Sequence, residues 1–153
     1  MYVWIKKELL TKRTKYAIKA LIALAKNAEN KPMLIVDIAK SEKLPKRFLE
    51  SILLDLKRAK LLGSKMGAGG GYFLMKPAKE IMVSEIIRCF DGPIALLPCV
   101  SINFYQRCEE CEDELNCSIR EMAQKVRDAS IGIMENTSIA DLMEREKGLQ
   151  GGI

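Results

Sequence analysis

Apolar residues in the first third of the chain recur at helical spacing, then give way to short extended runs around a block of glycines. Ala17, Leu21, Leu24 and Ala28 advance by four, three and four positions, which predicts a helix capped by Thr11 or Thr14 and running to about Ala28. Asn30, Lys31 and Pro32 punctuate. A short helix is expected around Ile35 to Ser41, with Ile35, Ile38 and Ala39 turned inward. Glu42, Lys43 and Leu44 make a tight turn, and Pro45 opens a third helix to about Lys60, where a missing N–H costs nothing. Two helices joined by so short a turn are a helix-turn-helix candidate.

On a wheel of about 100° per residue, Phe48, Leu49, Ile52, Leu53, Leu56 and Ala59 share one apolar arc of that third helix. Lys46, Arg47, Glu50, Ser51, Lys57 and Arg58 fill the opposite arc. Leu54 alone breaks the pattern, placed to touch a thymine methyl or a neighbouring subunit. Leu61–Met66 and Tyr72–Met75 then flank Gly67, Ala68, Gly69, Gly70 and Gly71, the pattern of a hairpin whose glycines supply positive φ and let backbone N–H groups approach a phosphate. A nucleotide-binding loop would continue with Lys-Ser/Thr and a helix. Here Tyr72-Phe73-Leu74 resumes a strand, which excludes it.

Further on, Ile119, Met122, Val126, Ala129 and Ile133 step by three, four, three and four, a heptad-like seam. Two heptads are too few to stand alone, so the seam packs on a second copy or within its own chain. The pattern thus predicts a mainly α fold with a small β-hairpin wing. A winged helix-turn-helix is expected over 1–95, a cysteine-rich loop over 96–117, and a long helix with its tail, the candidate dimerisation element, over 118–153.

Charge sharpens this division. Residues 1–97 hold 19 Lys and Arg against 9 Asp and Glu, a net +10, whereas residues 98–153 carry a net −5. A basic head suits a polyanion; an uneven but ordinary solvated surface is the plain alternative. Lys46 and Arg47 sit in the first helical turn, beside the positive end of the helix dipole, which suits phosphate and base-edge contact. No run of residues is apolar enough to span a membrane and the first residues lack a signal-peptide core, so a cytoplasmic protein is expected.

Histidine is absent, and four of the five cysteines crowd into one stretch: Cys99, Cys108, Cys111 and Cys117. Clustered thiolates are the usual way to hold zinc or an iron–sulfur cluster, and sulfur must supply most of any such centre here. Idle thiols or a redox dithiol are the alternatives; the Cys-x-x-Cys step flanked by further cysteines argues for a centre. Glu109, Glu110, Glu112, Asp113 and Glu114 raise thiol pKa values, which disfavours a bare reactive thiolate and suits a charge-cancelling cation. Cys89, in the apolar segment Ile86-Ile87-Arg88-Cys89-Phe90, is expected to be a buried small hydrophobe.

The order of these pieces resembles the Rrf-two family of bacterial transcription regulators, which contains the IscR-type and NsrR-type iron–sulfur repressors. The matching stretches are Leu10 to Ala17, Ile38-Ala39, Phe48-Leu49-Glu50, Gly67 to Tyr72, Asp91-Gly92-Pro93 and Asn136 to Leu142, covering roughly residues 9–143. The resemblance implies a homodimer that reads a palindromic operator in double-stranded DNA. It implies DNA contacts from Thr11, Lys12 and Tyr16 at the first helix, from Pro45, Lys46, Arg47, Glu50 and Ser51 in the recognition helix, and from Lys65, Gly69, Gly70 and Gly71 in the wing. Glu50 is the sequence-selective candidate, its carboxylate favouring a cytosine amino group; an exposed solubilising glutamate is the alternative.

It also implies a [2Fe–2S] cluster on Cys99, Cys111 and Cys117, with Cys108 as the proposed fourth ligand. Zinc has the better claim from an all-thiolate set taken alone, and spacing does not separate the two. Three positions depart from the family pattern. Met66 stands where the wing often carries arginine; Arg120 replaces a ligating histidine three residues past the last cysteine; Lys15 replaces an acidic residue before Tyr16. Residues 1–8, with Trp4, extend beyond the typical start. The rival classes are a cluster-free regulator answering to a small molecule or partner, a zinc-stabilised architectural DNA binder, and an enzyme. Without histidine or a nucleotide fingerprint, the last is set aside.

Overall fold

Thr11 starts the first helix. Its hydroxyl accepts the N–H of Thr14 at 3.3 Å, and α1 (Lys12–Lys26) follows. The computed structural model describes residues 10–150, so the expectation attached to residues 1–8 and Trp4 lies outside the described residues. Ala17, Leu21 and Leu24 are buried as their spacing predicts, joined by Ala20, Ile22 and Ala23; the side chain of Ala28 lies outside the described set.

Helices α2 (Ile35–Ser41) and α3 (Lys46–Arg58) follow, then β1 (Leu62–Lys65), β2 (Gly71–Leu74), α4 (Val83–Phe90), α5 (Ser118–Glu135) and α6 (Ile139–Gln150). The expected fold class is present: a mainly helical chain with one antiparallel hairpin, Leu62 opposite Leu74 and Lys65 opposite Gly71. Helices α2, α3, α4 and α6 and strand β2 all pack on α1. Their shared core includes Ile38, Leu49, Ile52, Leu53, Leu56, Leu62, Leu74, Ile81, Ile86 and Ile139.

The apolar arc of α3 is narrower than the wheel suggests. Leu49, Ile52, Leu53 and Leu56 are buried, but Phe48 is 61% exposed and Ala59 is exposed. Relative to Phe48, the buried four span about 40 to 140°, with Phe48 and Ala59 just outside the arc's edge. Leu54 is exposed as expected. Cys89, expected inside, lies on the outside of α4, because that helix turns Ser84, Ile86 and Ile87 to the core instead.

The chain beyond α5 does not trail away. Thr137 accepts the N–H of Val83 at 2.9 Å and Ile81 accepts that of Ile139 at 2.9 Å, a short bridge from which α6 returns to α1. Ser138 and Asp141 cap α6 reciprocally, through Ser138 N–H and hydroxyl to the Asp141 carboxylate at 2.8 and 2.7 Å. Those bonds hold the Asp141 pKa below the usual carboxylate range. The cap is therefore intact above the ordinary Asp pKa and is lost as pH falls through the lowered one.

The wing gains a third strand-like member. Met33 and Tyr72 exchange both backbone hydrogen bonds, at 2.8 and 2.9 Å, bringing the segment before α2 against β2. Only glycine fits at position 71: its φ is +137°, and a Cβ there would stand 2.4 Å from the Met33 carbonyl oxygen. Gly71→Ala is expected to cost about 2–3 kcal/mol by urea unfolding. Gly67→Ala, with φ +88° but open space around it, should cost only about 1 kcal/mol. Equal losses would refute the close approach.

Candidate nucleic-acid interface and cysteine loop

Burying Leu49, Ile52, Leu53 and Leu56 leaves the other face of α3 to solvent. Pro45, Lys46, Arg47, Glu50 and Ser51 are all exposed there. The preceding turn is closed by Leu44 N–H to Ala39 carbonyl at 2.8 Å, with Lys43 in the left-handed region at φ 52°. The Ser51 hydroxyl donates to the Phe48 carbonyl at 3.1 Å, within its own helix.

Two polar contacts hold α3 in place. Asp55 accepts Arg13 of α1 at 2.5 Å and Arg58 at 3.2 Å, and the Arg13 guanidinium lies 5.7 Å from the Phe90 ring centroid. Lys57 donates to Ser64 at 2.7 Å, tying the far end of α3 to the wing. Asn30, itself at φ 50°, grips Leu74 of β2 by both backbone groups, at 2.9 and 3.0 Å. The sequence pattern marks Asn30 only as a break and assigns no contact to Arg13 or Asp55; all three occupy polar positions whose partners are remote in the chain.

Other expected contacts divide. Lys12, Lys65 and Gly69 are exposed; Gly70 is buried, and Gly71 is partly buried against Met33. Tyr16 is partly buried and packs against the main core. Thr11 caps α1 and also donates its hydroxyl to Asp91 at 2.6 Å and its N–H at 3.3 Å, fastening α1 to the end of α4. At the wing tip Met66 is 93% exposed.

The cysteine loop is built on a second, smaller core. A 3-10 turn at Pro98–Val100 buries Cys99 and Val100 against Ala123 of α5, with Ala95, Leu97 and Cys108 packed around them. Arg127 of α5 donates to the Val100 carbonyl at 2.6 Å. The return limb of the loop is held by Gln106 N–H to Pro98 carbonyl at 3.3 Å. Beyond it, Arg107 donates to the carbonyls of Cys111 and Glu112, at 3.0 and 3.3 Å.

Of the four expected sulfurs, Cys99 and Cys108 share this core, and Cys111 follows with its backbone N–H on the Cys108 carbonyl at 3.2 Å. Cys108 packs against the core that holds Cys99, and proximity to that thiol, burial and the neighbouring Cys111 and Glu110 raise its pKa. The acidic run is the least of these causes, not the first. Cys117 stands apart as the N-cap of α5, its sulfur accepting the Arg120 N–H at 3.4 Å. Among the described residues, no three Cys, Asp or Glu side chains stand as a ready metal cage. The donors nonetheless suit a soft or sulfur-rich centre by type. Arg120 adds a buried Nε–H without an acceptor, the kind of donor that such a group satisfies.

Along α5, Ile119, Met122, Val126, Ala129 and Ile133 are exposed on one face, Ile133 at 69%, and Ala123 is the helix's one buried residue among those described.

A family model described as an iron-dependent transcriptional regulator, Rrf2, matches residues 10–145. The chain belongs to the Rrf2 family. It is accordingly a DNA-binding transcriptional regulator, of a family of regulators and not of enzymes. The rrf2-like HTH-type regulator of Rhodobacter capsulatus is 40% identical over 88% of this chain and 92% of its own length. The HTH-type transcriptional regulator IscR of Photorhabdus laumondii is 27% identical over 92% of the chain and 82% of its own. Among solved structures, CymR, the global cysteine regulator of B. subtilis, superposes with a TM-score of 0.74 at 28% identity, covering 89% of this chain and 96% of that one. No helix among the described residues is long and apolar enough to cross a membrane.

The Thr11 bonds to Asp91 make a specific demand on an Rrf2 protein's head. Thr11→Ala removes the cap and the Asp91 contact together and should cost about 1–2 kcal/mol in urea unfolding. Thr11→Ser keeps both and should cost less than about 0.5 kcal/mol. An equal loss in the two variants would mean that the hydroxyl does not hold the helix start.

Proposed function

We propose that this Rrf2 regulator is a cytoplasmic homodimer whose affinity for a palindromic operator is set by a cysteine-ligated iron–sulfur cluster, of the [2Fe–2S] type. The observation that carries the proposal is the burial of Cys99, with Val100, directly against α5. Whatever the cysteine loop binds is thereby tied to the helix that would join two copies. The description of the matching family as iron-dependent supports the metal.

Cys99, Cys108, Cys111 and Cys117 would hold the cluster, which when bound supplies a centre sensitive to redox state, iron supply or nitric oxide. The chain's own residues do the coupling. Cys117 caps α5 and Arg127 grips the Val100 carbonyl, so a change in the loop pulls on the first and third turns of that helix. The apolar face Ile119–Ile133 is the surface for the second copy, which sets the separation of the two α3 helices. Lys46 and Arg47 would contact phosphates and base edges, with Lys65 on the backbone beside the wing. A coupling of ~1–3 kcal/mol between centre and operator is ordinary for such devices.

A second reading keeps the regulator and replaces the cluster by zinc, or by a small molecule or partner protein. Its metal-free form, answering to a small molecule or partner protein, is the one favoured by the absence, among the described residues, of a ready three-ligand cage.

Anaerobic purification decides between these readings. Brown protein with iron and acid-labile sulfide supports the cluster; colourless protein with stoichiometric zinc, or with no metal, refutes it. Cys108→Ser should lose or destabilise the metal, and full retention would place the fourth ligand elsewhere. Arg47→Ala and Lys46→Ala should each weaken operator binding by about 1–3 kcal/mol. The salt slope should fall by about one for a residue on phosphate. Unchanged affinity and slope in both would remove this face from the interface.

A further inference from the structure

The loop from Pro98 to Cys108 doubles back on itself. Gln106 N–H reaches the Pro98 carbonyl at 3.3 Å, and Phe104 N–H closes the bend onto the Ser101 hydroxyl at 3.1 Å. Cys99 and Cys108 lie on the two limbs and share one small core with Val100 and Ala123. Their environments differ in one respect that matters for chemistry. Cys99 is 3% exposed, sealed under the loop, whereas Cys108 is partly open to solvent.

We infer that, in the metal-free protein, Cys99 and Cys108 form a reversible intramolecular disulfide with a low-molecular-weight disulfide such as oxidised glutathione as the oxidant. The open Cys108 thiol gives up its proton, and its sulfur attacks one sulfur of the oxidant. The oxidant's S–S bond breaks, one glutathione leaves as a thiol, and a mixed disulfide remains on Cys108. Cys99, shielded from external thiols but beside its partner, gives up its proton and attacks the Cys108 sulfur. The second glutathione leaves, also as a thiol. Two protein thiols are oxidised by two electrons while one oxidant disulfide becomes two thiols, and the two protons end on the released glutathiones.

The remaining cysteines lack that pairing. Cys117 caps α5, and Cys89 lies on the outer face of α4, away from the loop core. Cys111 lies near Cys108 but outside the core that holds Cys99, its N–H bonded to the Cys108 carbonyl at 3.2 Å. The disulfide would also occupy two of the proposed ligands, so the oxidised loop would refuse iron. The inference does not need the cluster reading, since it concerns the chain's thiols without a metal.

The test uses the full chain, reduced and stripped with a chelator, then exposed to oxidised glutathione. Intact mass is expected to fall by two hydrogens, with fragmentation linking Cys99 to Cys108. Cys89→Ser and Cys111→Ser should crosslink within about twofold of the wild-type rate. Cys99→Ser should stop at a glutathione adduct on Cys108, and Cys108→Ser should lose the crosslink at least about a hundredfold. Crosslinks from Cys99 to Cys111 or Cys117, or adducts without crosslinking in the wild type, would overturn the assignment. Iron and sulfide in anaerobic protein are measured beside it. Metal-free protein that still crosslinks refutes only the cluster, and iron-loaded protein whose stripped form does not crosslink refutes only the dithiol.

Discussion

Helix α1 is buried along much of its length, and the fold of the head follows from how closely its neighbours can approach it. Ala17, Ala20 and Ala23 present almost no side-chain bulk, while Leu21 and Leu24 fill the spaces between elements. Replacing any of these alanines by a larger residue would push α3, α4 or α6 outward. That constraint fixes the exposed face of α3 indirectly. Once Leu49, Ile52, Leu53 and Leu56 are committed to the shared core, Lys46, Arg47, Glu50 and Ser51 have no direction left but outward.

A second and much smaller junction joins the head's partner elements to the cysteine loop. Cys99, Val100 and Ala123 form it, and Arg127 closes it. So small an apolar contact contributes only a few kcal/mol. Charge divides along the same line: residues 1–97 carry a net +10 and residues 98–153 a net −5.

Much of this was legible in the sequence because it rests on periodicity. The steps among Ala17, Leu21 and Leu24 locate α1; Ile35 to Ser41 and the turn at Glu42–Leu44 locate the helix-turn-helix; glycines between apolar runs locate the wing. The exposed seam of α5 was legible for the same reason. What escaped were pairings across long stretches of chain. Nothing local to Asn30 points to Leu74, or local to Arg127 to Val100. Cys89 misled because hydrophobic neighbours in sequence point to opposite faces on a short helix. The cysteine arrangement was legible only in part: spacing picks out four sulfurs, but the fold packs Cys99 with Cys108, leaves Cys111 outside that core and spends Cys117 on a helix cap.

The two ends of α5 are held very differently. At its C-terminal end Arg88 pairs with Glu135 at 2.9 Å, and the chain is pinned at once by the bridge between Met82 and Ser138. Its other end rests on the cysteine loop. The helix is therefore a lever with its pivot at the head, 18 residues or about 27 Å long. A sideways displacement of about 2 Å at the Cys117 tip corresponds to a swing of only about 4° at the pivot. At that pivot the displacement arrives as a small angle, not a shift.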